Sequence, residues 1–352
     1  MERDGFVFER EELFKIADCK YGENAYQSPA ALFCLFDSMS RDPFSLDKFR
    51  LISGTPLSYN NYCDLDRLLQ TMTHIAATFD LNCGSTPFIA VGVKHGNACG
   101  AGVHDIDRHE TIKRTVTGDP QALFGGLVML NFAVDVEEAE LLLSYKTEVR
   151  RLLDGVIAPW FSPEAIELLK RKGDKCRFVA NSALAELDRH SLDKEPIVRY
   201  VRGGFLAQPN YTYILDINDP DLKKYGAVKE IQEYDFMLAK AICDTSNSNT
   251  ITIVKDGQLL GNGVGQQSRI GGAKLAIRTA KDSCHNYSGA VAVSDSFFPF
   301  TDGVETLVVA GITAILSTSG SVNDPKVIDY CNQCEVPLWL IPDTKGRGFY
   351  NH

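Results

Sequence analysis

The 352-residue sequence lacks several features that would place it among membrane, secreted or nucleic-acid-binding proteins. No apolar run approaches the roughly 20 residues of a membrane-spanning helix, and the charged start MERDGFVFEREELFK differs from a secretion signal. The ten cysteines lack the spacing of a disulfide framework, which indicates reduced thiols. A net charge of -10 without a basic stripe argues against nucleic acid. These absences predict a soluble, cytoplasmic protein and leave an anionic small molecule open as a ligand.

The sequence also contains no Walker A loop, no GxGxxG fingerprint and no linker rich in proline, glycine or serine. It contains an alternation of strand and helix patterns, which predicts an α/β protein. Strands are predicted over 86–94, 122–131, 155–159, 289–295, 311–317 and 336–342, with a hairpin over 251–261. Helices are predicted over 136–153, 162–173, 268–284, 302–310 and 324–334, the second ending at Gly173.

Two segments, 139–173 and 304–334, share one order of features. Each runs through a helix, a glycine, a strand, a polar loop and a helix that starts with proline. The similarity predicts two related α/β lobes, 1–195 and 196–352, with ligands bound where strand ends meet.

The stretch VGVKHGNACG places Lys94 and His95 side by side at the end of an apolar strand. Successive strand residues point to opposite faces, so the two side chains can serve one site only if the strand stops there, as Gly96 suggests. A histidine can accept a proton from an attacking amine, while a lysine beside it can stabilise an oxyanion or protonate a leaving nitrogen. The alternative is a hydrogen-bonded turn histidine beside a solvated lysine.

An aromatic segment, SDSFFPFTDGVE, follows another predicted strand at 294–305. Phe297 and Phe300 could sandwich a flat heteroaromatic ring whose nitrogens donate to Asp302. The alternative interpretation is that these phenylalanines are ordinary core residues.

Two further motifs are weaker indications of a ligand site. NGVGQQSRIGGAK at 262–274 has glycines before a helix that Ser268 and Arg269 open, an arrangement that resembles a phosphate cradle. CNQC at 331–334 could supply two metal ligands, but no second pair accompanies it, so structural thiols are the simpler interpretation.

Nine segments, in this order, resemble one enzyme family: KYGENAYQ, LSYNNYCDLD, VKHGNACG, GDPQALFGG, DGVIAP, RGGFLAQ, SNSNTI, GVGQQSRI and SDSFFPFTDGVE. The family is the transformylase half of the bifunctional enzymes that formylate 5-aminoimidazole-4-carboxamide ribonucleotide (AICAR) and cyclise the product to inosine monophosphate. The resemblance implies a formyl transfer from 10-formyltetrahydrofolate to the amine of AICAR. It also implies a homodimer with shared active sites and two three-layer lobes similar to cytidine deaminase without zinc.

Carried over residue by residue, the resemblance implies that His95 is the base and Lys94 the oxyanion stabiliser, while Asn249 and Asp302 align the formyl donor. The implied nucleotide site comprises Lys20, Tyr21, Gly22, Asn61, Phe124, Gly125, Asp154, Arg269, Arg347, Tyr350 and His352. The implied folate site comprises Asn249, Phe297, Pro299, Phe300 and Asp302. No resident metal is expected, apart from a monovalent cation such as potassium.

The sequence departs from the family pattern around the nucleotide. Lys20 replaces an arginine, Ala98 a proline, and STSG at 317–320 a Gln-Pro-Gly-Gly run; Arg347 lies one residue early, which leaves Gly348 in its place, and Tyr350 replaces a phenylalanine. A related aminoimidazole nucleotide is therefore an alternative substrate. A non-catalytic folate- or nucleotide-binding protein and a zinc deaminase are further alternatives, although a deaminase would need a His-x-Glu motif.

KYGENAYQ begins only 19 residues after Met1, too few for an independent domain. The expectation is therefore a stand-alone transformylase that releases its product uncyclised and depends on a separate cyclohydrolase.

Overall fold

The computed structural model describes residues 13–35 and 42–350 of the chain. Its strands are β1 (Leu13–Cys19), β2 (Ala30–Leu35), β3 (Arg50–Ser53), β4 (Phe88–Lys94), β5 (Asn97–His104), β6 (Leu127–Leu130), β7 (Gly155–Ala158), β8 (Arg177–Ala180), β9 (Ile197–Val201), β10 (Gly204–Gln208), β11 (Lys223–Tyr225), β12 (Ile251–Lys255), β13 (Gln258–Gly263), β14 (Val291–Ser294), β15 (Ala314–Ser319) and β16 (Leu338–Pro342). Its α-helices are α1 (Tyr59–Cys83), α2 (Arg108–Val116), α3 (Pro120–Leu123), α4 (Val136–Ser144), α5 (Pro163–Leu169), α6 (Glu230–Asp244), α7 (Arg269–Asp282), α8 (Asp302–Val309), α9 (Asp324–Gln333) and α10 (Asp343–Gly346).

One mixed sheet of 12 strands organises the molecule, in the order β11-β16-β15-β14-β12-β13-β5-β4-β6-β7-β8-β3. Counted outward from the centre of the sheet, the two halves have the same arrangement of strands. In each half a hairpin is followed by one antiparallel strand, two parallel strands and an antiparallel edge strand. The two halves meet where β5 and β13 pair antiparallel.

The helices repeat in the same way. α1 and α6 precede the two hairpins and α2 and α7 follow them, while α4, β7 and α5 match α8, β15 and α9. The similarity predicted from segments 139–173 and 304–334 is therefore confirmed as a repeated order of elements. The comparison with cytidine deaminase and the boundary at residue 195 remain predictions.

Glycines in the second strand of each hairpin fix the contact with the following helix. A Cβ atom on Gly100 would lie 2.2 Å from the carbonyl oxygen of Thr115, and one on Gly261 would lie 2.1 Å from that of Ala276. Each glycine is the fourth residue of its strand and each carbonyl belongs to the eighth residue of its helix. The same close helix-strand approach therefore occurs twice.

Alternate residues of the strands pack into helix layers on opposite faces of the sheet. On β14, Val291 and Val293 join a core with residues of α1 and α6, whereas Ala292 joins a core with residues of α7 and α8. On β4, Ala90 likewise faces a core formed with α2 and α4. This alternation follows from the two-residue period of a strand, and it produces three layers.

Two hairpins lie outside the large sheet: β1 with β2, and β9 with β10. Each is a separate two-stranded sheet with antiparallel pairing. Among the described helices, none has the length and apolar character that crossing a membrane would require.

The predicted strand over 122–131 is wrong in its first half. Pro120–Leu123 form α3, because the Asp119 carboxylate accepts a hydrogen bond from the backbone N–H of Ala122 (2.9 Å) and Pro120 suits the first turn of a helix. Gly125 then has a φ of 76°. Only Leu127–Leu130 are extended.

The predicted helix over 136–153 is also too long, since α4 ends at Ser144. The Arg151 guanidinium donates to the carbonyl oxygens of Leu142 (2.7 Å) and Tyr145 (3.0 Å), so a side chain satisfies carbonyls at the helix end. Similarly, α5 ends at Leu169, and Gly173 lies in the following turn instead of ending the helix. The hairpin at 251–261 and the strands and helices predicted after it are confirmed within a few residues.

Candidate active site

Most of the candidate residues lie along one edge of the large sheet. Lys94 ends β4, and the antiparallel pairing of β4 with β6 brings the start of β6 to the same edge. Asp154 comes directly before β7, and Asn249 comes just before β12. The segment 295–302 follows β14, which is antiparallel to β12. The topology therefore gathers residues from both halves of the chain.

Lys94 and His95 lie at the tip of the β4–β5 hairpin, and the strand ends between them as predicted. His95 and Gly96 form the two-residue turn, with φ values of 52° and 73°. Two successive positive φ values are those of a type I′ turn, which reverses the chain immediately after Lys94. His95 is exposed and Lys94 is half-buried.

Hydrogen bonds hold the turn from beneath. The Asp64 carboxylate accepts from the backbone N–H of Gly96 (2.7 Å), and burial raises the pKa of Asp64. The Lys94 ammonium donates to the carbonyl oxygen of Phe124 (2.7 Å), so its position is fixed. Asn97, the first residue after the turn, accepts through its side-chain oxygen from the backbone N–H of Asn247 (3.1 Å).

Backbone hydrogen bonds join two segments beside Lys94, one before β6 with Phe124 and Gly125 and one before β7 with Asp154. Gly125 donates through its N–H to the carbonyl oxygen of Leu152 (2.7 Å), and the N–H of Asp154 donates to the carbonyl oxygen of Gly126 (2.9 Å). The Phe124 side chain is exposed. The Asp154 carboxylate pairs with Arg171 (2.6 Å), which leaves this acid part of a surface ion pair.

Asn249 is held by Gln266 from the glycine-rich segment. Backbone hydrogen bonds of 3.1 Å run in both directions between the two residues, and the Asn249 side chain donates to the Gln266 carbonyl oxygen (2.7 Å). The Ser248–Asn249 peptide bond is cis. The motif that resembled a phosphate cradle therefore supports the segment before β12.

Asp295 is a fully buried carboxylate at the end of β14. It forms an ion pair with Arg269 and accepts from the hydroxyl of Ser248 (2.8 Å) and the N–H of Thr250 (3.1 Å). Burial lowers the pKa of Arg269 to about 10. Arg269, predicted to meet the nucleotide, is thus committed to Asp295 in this structure.

The aromatic segment divides between core and surface. Phe298 is 2% exposed and packs against Gly303, whereas Phe300 is 63% exposed. Phe297 is half-buried, with the Arg347 guanidinium 5.4 Å from its ring centroid. The exposed Asp302 opens α8 and accepts from the N–H of Gly303 (2.7 Å). Pro299 accepts at its carbonyl oxygen from the side chain of Asn323 (2.7 Å).

The C-terminal segment runs past the same edge. Arg347 pairs with Asp343 (2.7 Å), and a Cβ atom at Gly348 would clash with Tyr211 and Asp244. The N–H of Tyr350 donates to the Ser246 carbonyl oxygen (3.1 Å). His352 lies outside the described residues.

Lys20, Tyr21 and Gly22 follow β1 in a loop near the start of α1. The N–H of Gly22 donates to the Gln27 carbonyl oxygen (2.7 Å), and Lys20 is exposed. Asn61 is buried and completes the capping box of α1 with the N-cap residue Ser58, since its side-chain oxygen accepts from the N–H (3.1 Å) and hydroxyl (2.9 Å) of Ser58. Among the described residues, neither the 20–22 loop nor Asn61 has a hydrogen bond to the β4–β5 turn.

A cavity of about 300 Å³ lies beside the turn, lined by Lys94, His95, Asn97, Ala98, Asp119 and Asn262 among others. This volume is at the lower end of the range for one small ligand. Within the described part of the chain, no group of three or more histidine, cysteine or acidic side chains could hold a metal ion. Cys331 is buried on α9 and Cys334 follows that helix.

A sequence model of the family described as AICARFT/IMPCHase bienzyme matches residues 7–279. The chain belongs to this family. The resemblance predicted from nine segments is thereby confirmed at the level of the family.

Several relatives from the AICARFT/IMPCHase bienzyme family carry the name bifunctional purine biosynthesis protein PurH. The chain is 35% identical to that of Anoxybacillus flavithermus over 322 residues, which is 91% of this chain and 57% of the relative. It is 32% identical to that of Aquifex aeolicus over 330 residues (93% and 59%) and 34% identical to that of Oceanobacillus iheyensis over 340 residues (95% and 59%). The chain thus spans a little under three fifths of these relatives' length.

Sequence reasoning missed three residues that organise the candidate site: Asp64, Arg67 and Asn247. Asp64 and Arg67 are three residues apart on α1, so they share one face of the helix. The sequence signal that could have drawn attention to Asp64 and Arg67 is an acidic and a basic residue next to the apolar residues Leu65 and Leu68. Both leucines are buried in the structure.

Proposed function

We propose that this chain transfers the formyl group of 10-formyltetrahydrofolate to the 5-amino group of AICAR. The observation that carries the proposal is the β4–β5 turn, which presents an ammonium and an imidazole consecutively at a sheet edge. Lys94 is fixed by its bond to the Phe124 carbonyl oxygen (2.7 Å), and His95 is exposed at the turn. Family membership supports the assignment.

The two side chains match the needs of this reaction. The amine of AICAR is a weak nucleophile because its lone pair is delocalised into the ring and the carboxamide. As its nitrogen bonds to the formyl carbon, His95 takes the amine proton and Lys94 donates to the formyl oxygen, which becomes negative. The bond from that carbon to N10 of the folate then breaks, and N10 takes a proton to give tetrahydrofolate. Such acid-base help is typically worth about 10²- to 10⁴-fold in rate.

The aromatic segment after β14 has the composition that a folate ring requires. Phe300 presents an exposed ring and Asp302 an exposed carboxylate two residues later, which together can stack on a pterin and accept from its nitrogens. Asn249, held by Gln266, would align the formyl donor. A monovalent cation remains a prediction.

The nucleotide would lie against Phe124, Gly125 and Asp154, beside Lys94. Its phosphate contacts differ from the family pattern. Lys20 is exposed and Arg347 pairs with Asp343. These observations favour, as a second candidate, the same reaction on a related aminoimidazole nucleotide. Comparing kcat/KM for AICAR with that for a related aminoimidazole nucleotide separates the two, and the dephosphorylated nucleoside of AICAR tests recognition of the phosphate.

A second copy of the chain would complete the site. The cavity of about 300 Å³ is small for a nucleotide together with a folate. The β9–β10 hairpin exposes Tyr200 (72%), Phe205 (65%) and Leu206 (61%), which suits burial against another chain. A homodimer with shared sites is therefore part of the proposal.

The test is a spectrophotometric assay of tetrahydrofolate release from 10-formyltetrahydrofolate with AICAR, followed by chromatography of the nucleotides. We expect the formamido nucleotide to accumulate until a cyclohydrolase is added. No AICAR-dependent release would contradict formyl transfer and favour a non-catalytic binding protein. Enzyme-dependent formation of inosine monophosphate by these 352 residues alone would contradict the expected single activity.

A further inference from the structure

Arg67 lies where three segments of the candidate site meet. Its side chain is buried, with the residue 5% exposed. Nε donates to the carbonyl oxygen of Gly96 (2.9 Å), and Nη2 donates to the side-chain oxygen of Asn247 (3.0 Å). The guanidinium carbon lies 3.7 Å from the centroid of the Tyr350 ring. One side chain therefore contacts the turn that carries His95, the segment before β12 and the C-terminal segment.

The repeated fold shows that this position does not need a cation. Arg67 is the ninth residue of α1, and the ninth residue of α6 is Leu238, which is fully buried. Burying a guanidinium is unfavourable unless its donors are paired. Nη1 of Arg67 is buried and has no hydrogen-bond partner among the described residues. Burial of Arg67 is thus energetically unfavourable at a position where the other half of the fold has an apolar residue.

The charge of Arg67 is retained despite burial. Burial lowers its pKa to about 10, which still leaves the guanidinium protonated at neutral pH. Asp64 and Asp66 on the same helix oppose that shift. Asp66 also accepts from the Tyr350 hydroxyl (3.0 Å), so Asp66 and Arg67 both contact the Tyr350 side chain.

We propose that Arg67 is a positioning residue for formyl transfer, which holds the turn bearing His95 in register with the segment bearing Asn249. The two segments belong to different halves of the sheet, and the planar guanidinium bonds to both at once. A lysine could not form this fork of two directed hydrogen bonds. The inference rests on the proposed function, because its role is defined by that reaction.

The test compares Arg67→Leu, Arg67→Lys and Arg67→Ala with the unmodified protein in the formyl-transfer assay. Arg67→Leu copies the residue of the other half, so we expect it to fold. We expect kcat to fall by about 10²-fold in all three variants, since small misplacements of reacting groups have effects of this size. KM for both substrates should stay within about 3-fold, as for an interaction felt mainly in the transition state.

Chemical rescue separates positioning from a merely structural role. Millimolar guanidinium chloride should restore part of kcat in Arg67→Ala and none in Lys94→Ala. Arg151→Ala is the matched control, because Arg151 is 6% exposed but donates to the carbonyl oxygens of Leu142 and Tyr145 at the end of α4. Its kcat should be unchanged, with or without guanidinium.

Failure of this inference is distinguishable from failure of the proposed function. If the unmodified protein transfers no formyl group, the proposed function fails. If it is active and Arg67→Leu keeps a near-normal kcat, the positioning role is overturned. Should Arg67→Leu fail to fold, Asn247→Ala removes the Nη2 acceptor instead. A normal kcat in that variant would equally overturn the inference, and a selective loss of kcat would support it.

Discussion

Asp64 and Asp235 hold equivalent positions in the two halves of the molecule. Each is the sixth residue of the helix before its hairpin, and each accepts a hydrogen bond of 2.7 Å from the turn glycine, Gly96 or Gly257. The two turns also share positive φ values at both residues. The same kind of carboxylate therefore supports both turns, of which only the first carries a histidine.

The first prediction uses this equivalence. Asp64→Ala and Asp235→Ala should each lower the free energy of unfolding by about 1–3 kcal/mol, because backbone donors lose their acceptor. Only Asp64→Ala should also lower kcat, since only its turn carries the proposed base. Thermal unfolding and the formyl-transfer assay on both variants measure the two effects. Equal kcat values for the two variants would contradict the assignment of the first turn.

The second prediction concerns neighbouring phenylalanines with opposite environments. Phe300→Ala should raise KM for the folate and leave the melting temperature almost unchanged, because the ring is exposed. Phe298→Ala should destabilise the fold by about 3–5 kcal/mol, because the ring is buried. Steady-state kinetics and thermal unfolding of both variants provide the check. An unchanged folate KM in Phe300→Ala would remove this ring from the folate site.

The third prediction concerns the C-terminal segment. Deleting residues 350–352 should reduce activity strongly without unfolding the protein, because Tyr350 contacts Arg67 and Asp66 at the surface of the core. Tyr350→Phe keeps the ring on Arg67 and loses only the hydroxyl bond, so its kcat should fall much less. Circular dichroism confirms folding, and gel filtration tests for the dimer. Full activity of the truncated protein as a monomer would contradict both the role of the C-terminal segment and the proposed homodimer.

The repeat could have been predicted more sharply from the sequence. KHGNACGAGV, from Lys94, and KDGQLLGNGV, from Lys255, share the pattern K-x-G-x-x-x-G-x-G-V. The first glycine suits a left-handed turn, and the others permit the close approach of a helix. Both reasons are local, so a sequence comparison of the two halves can find them.

Other features depend on contacts between distant residues. The early end of α4 follows from Arg151, which bonds back to its last carbonyls, and no helical pattern reveals this. The pairing of Arg269 with Asp295 joins the glycine-rich motif to the aromatic one. The two residues are 26 positions apart, so neither motif alone reveals the ion pair, and the family resemblance implies instead that Arg269 faces the nucleotide.

Lys94 and His95 of the first hairpin carry the chemistry of the proposed reaction, and the second hairpin supplies the control. We predict that Lys94→Ala and His95→Ala each reduce kcat by roughly 10²-fold or more while nucleotide binding, measured by calorimetry, survives. Lys255→Ala and Asp256→Ala, which alter the same positions of the other turn, should keep kcat near that of the unmodified protein. Near-normal kcat in either Lys94→Ala or His95→Ala would contradict the proposed mechanism.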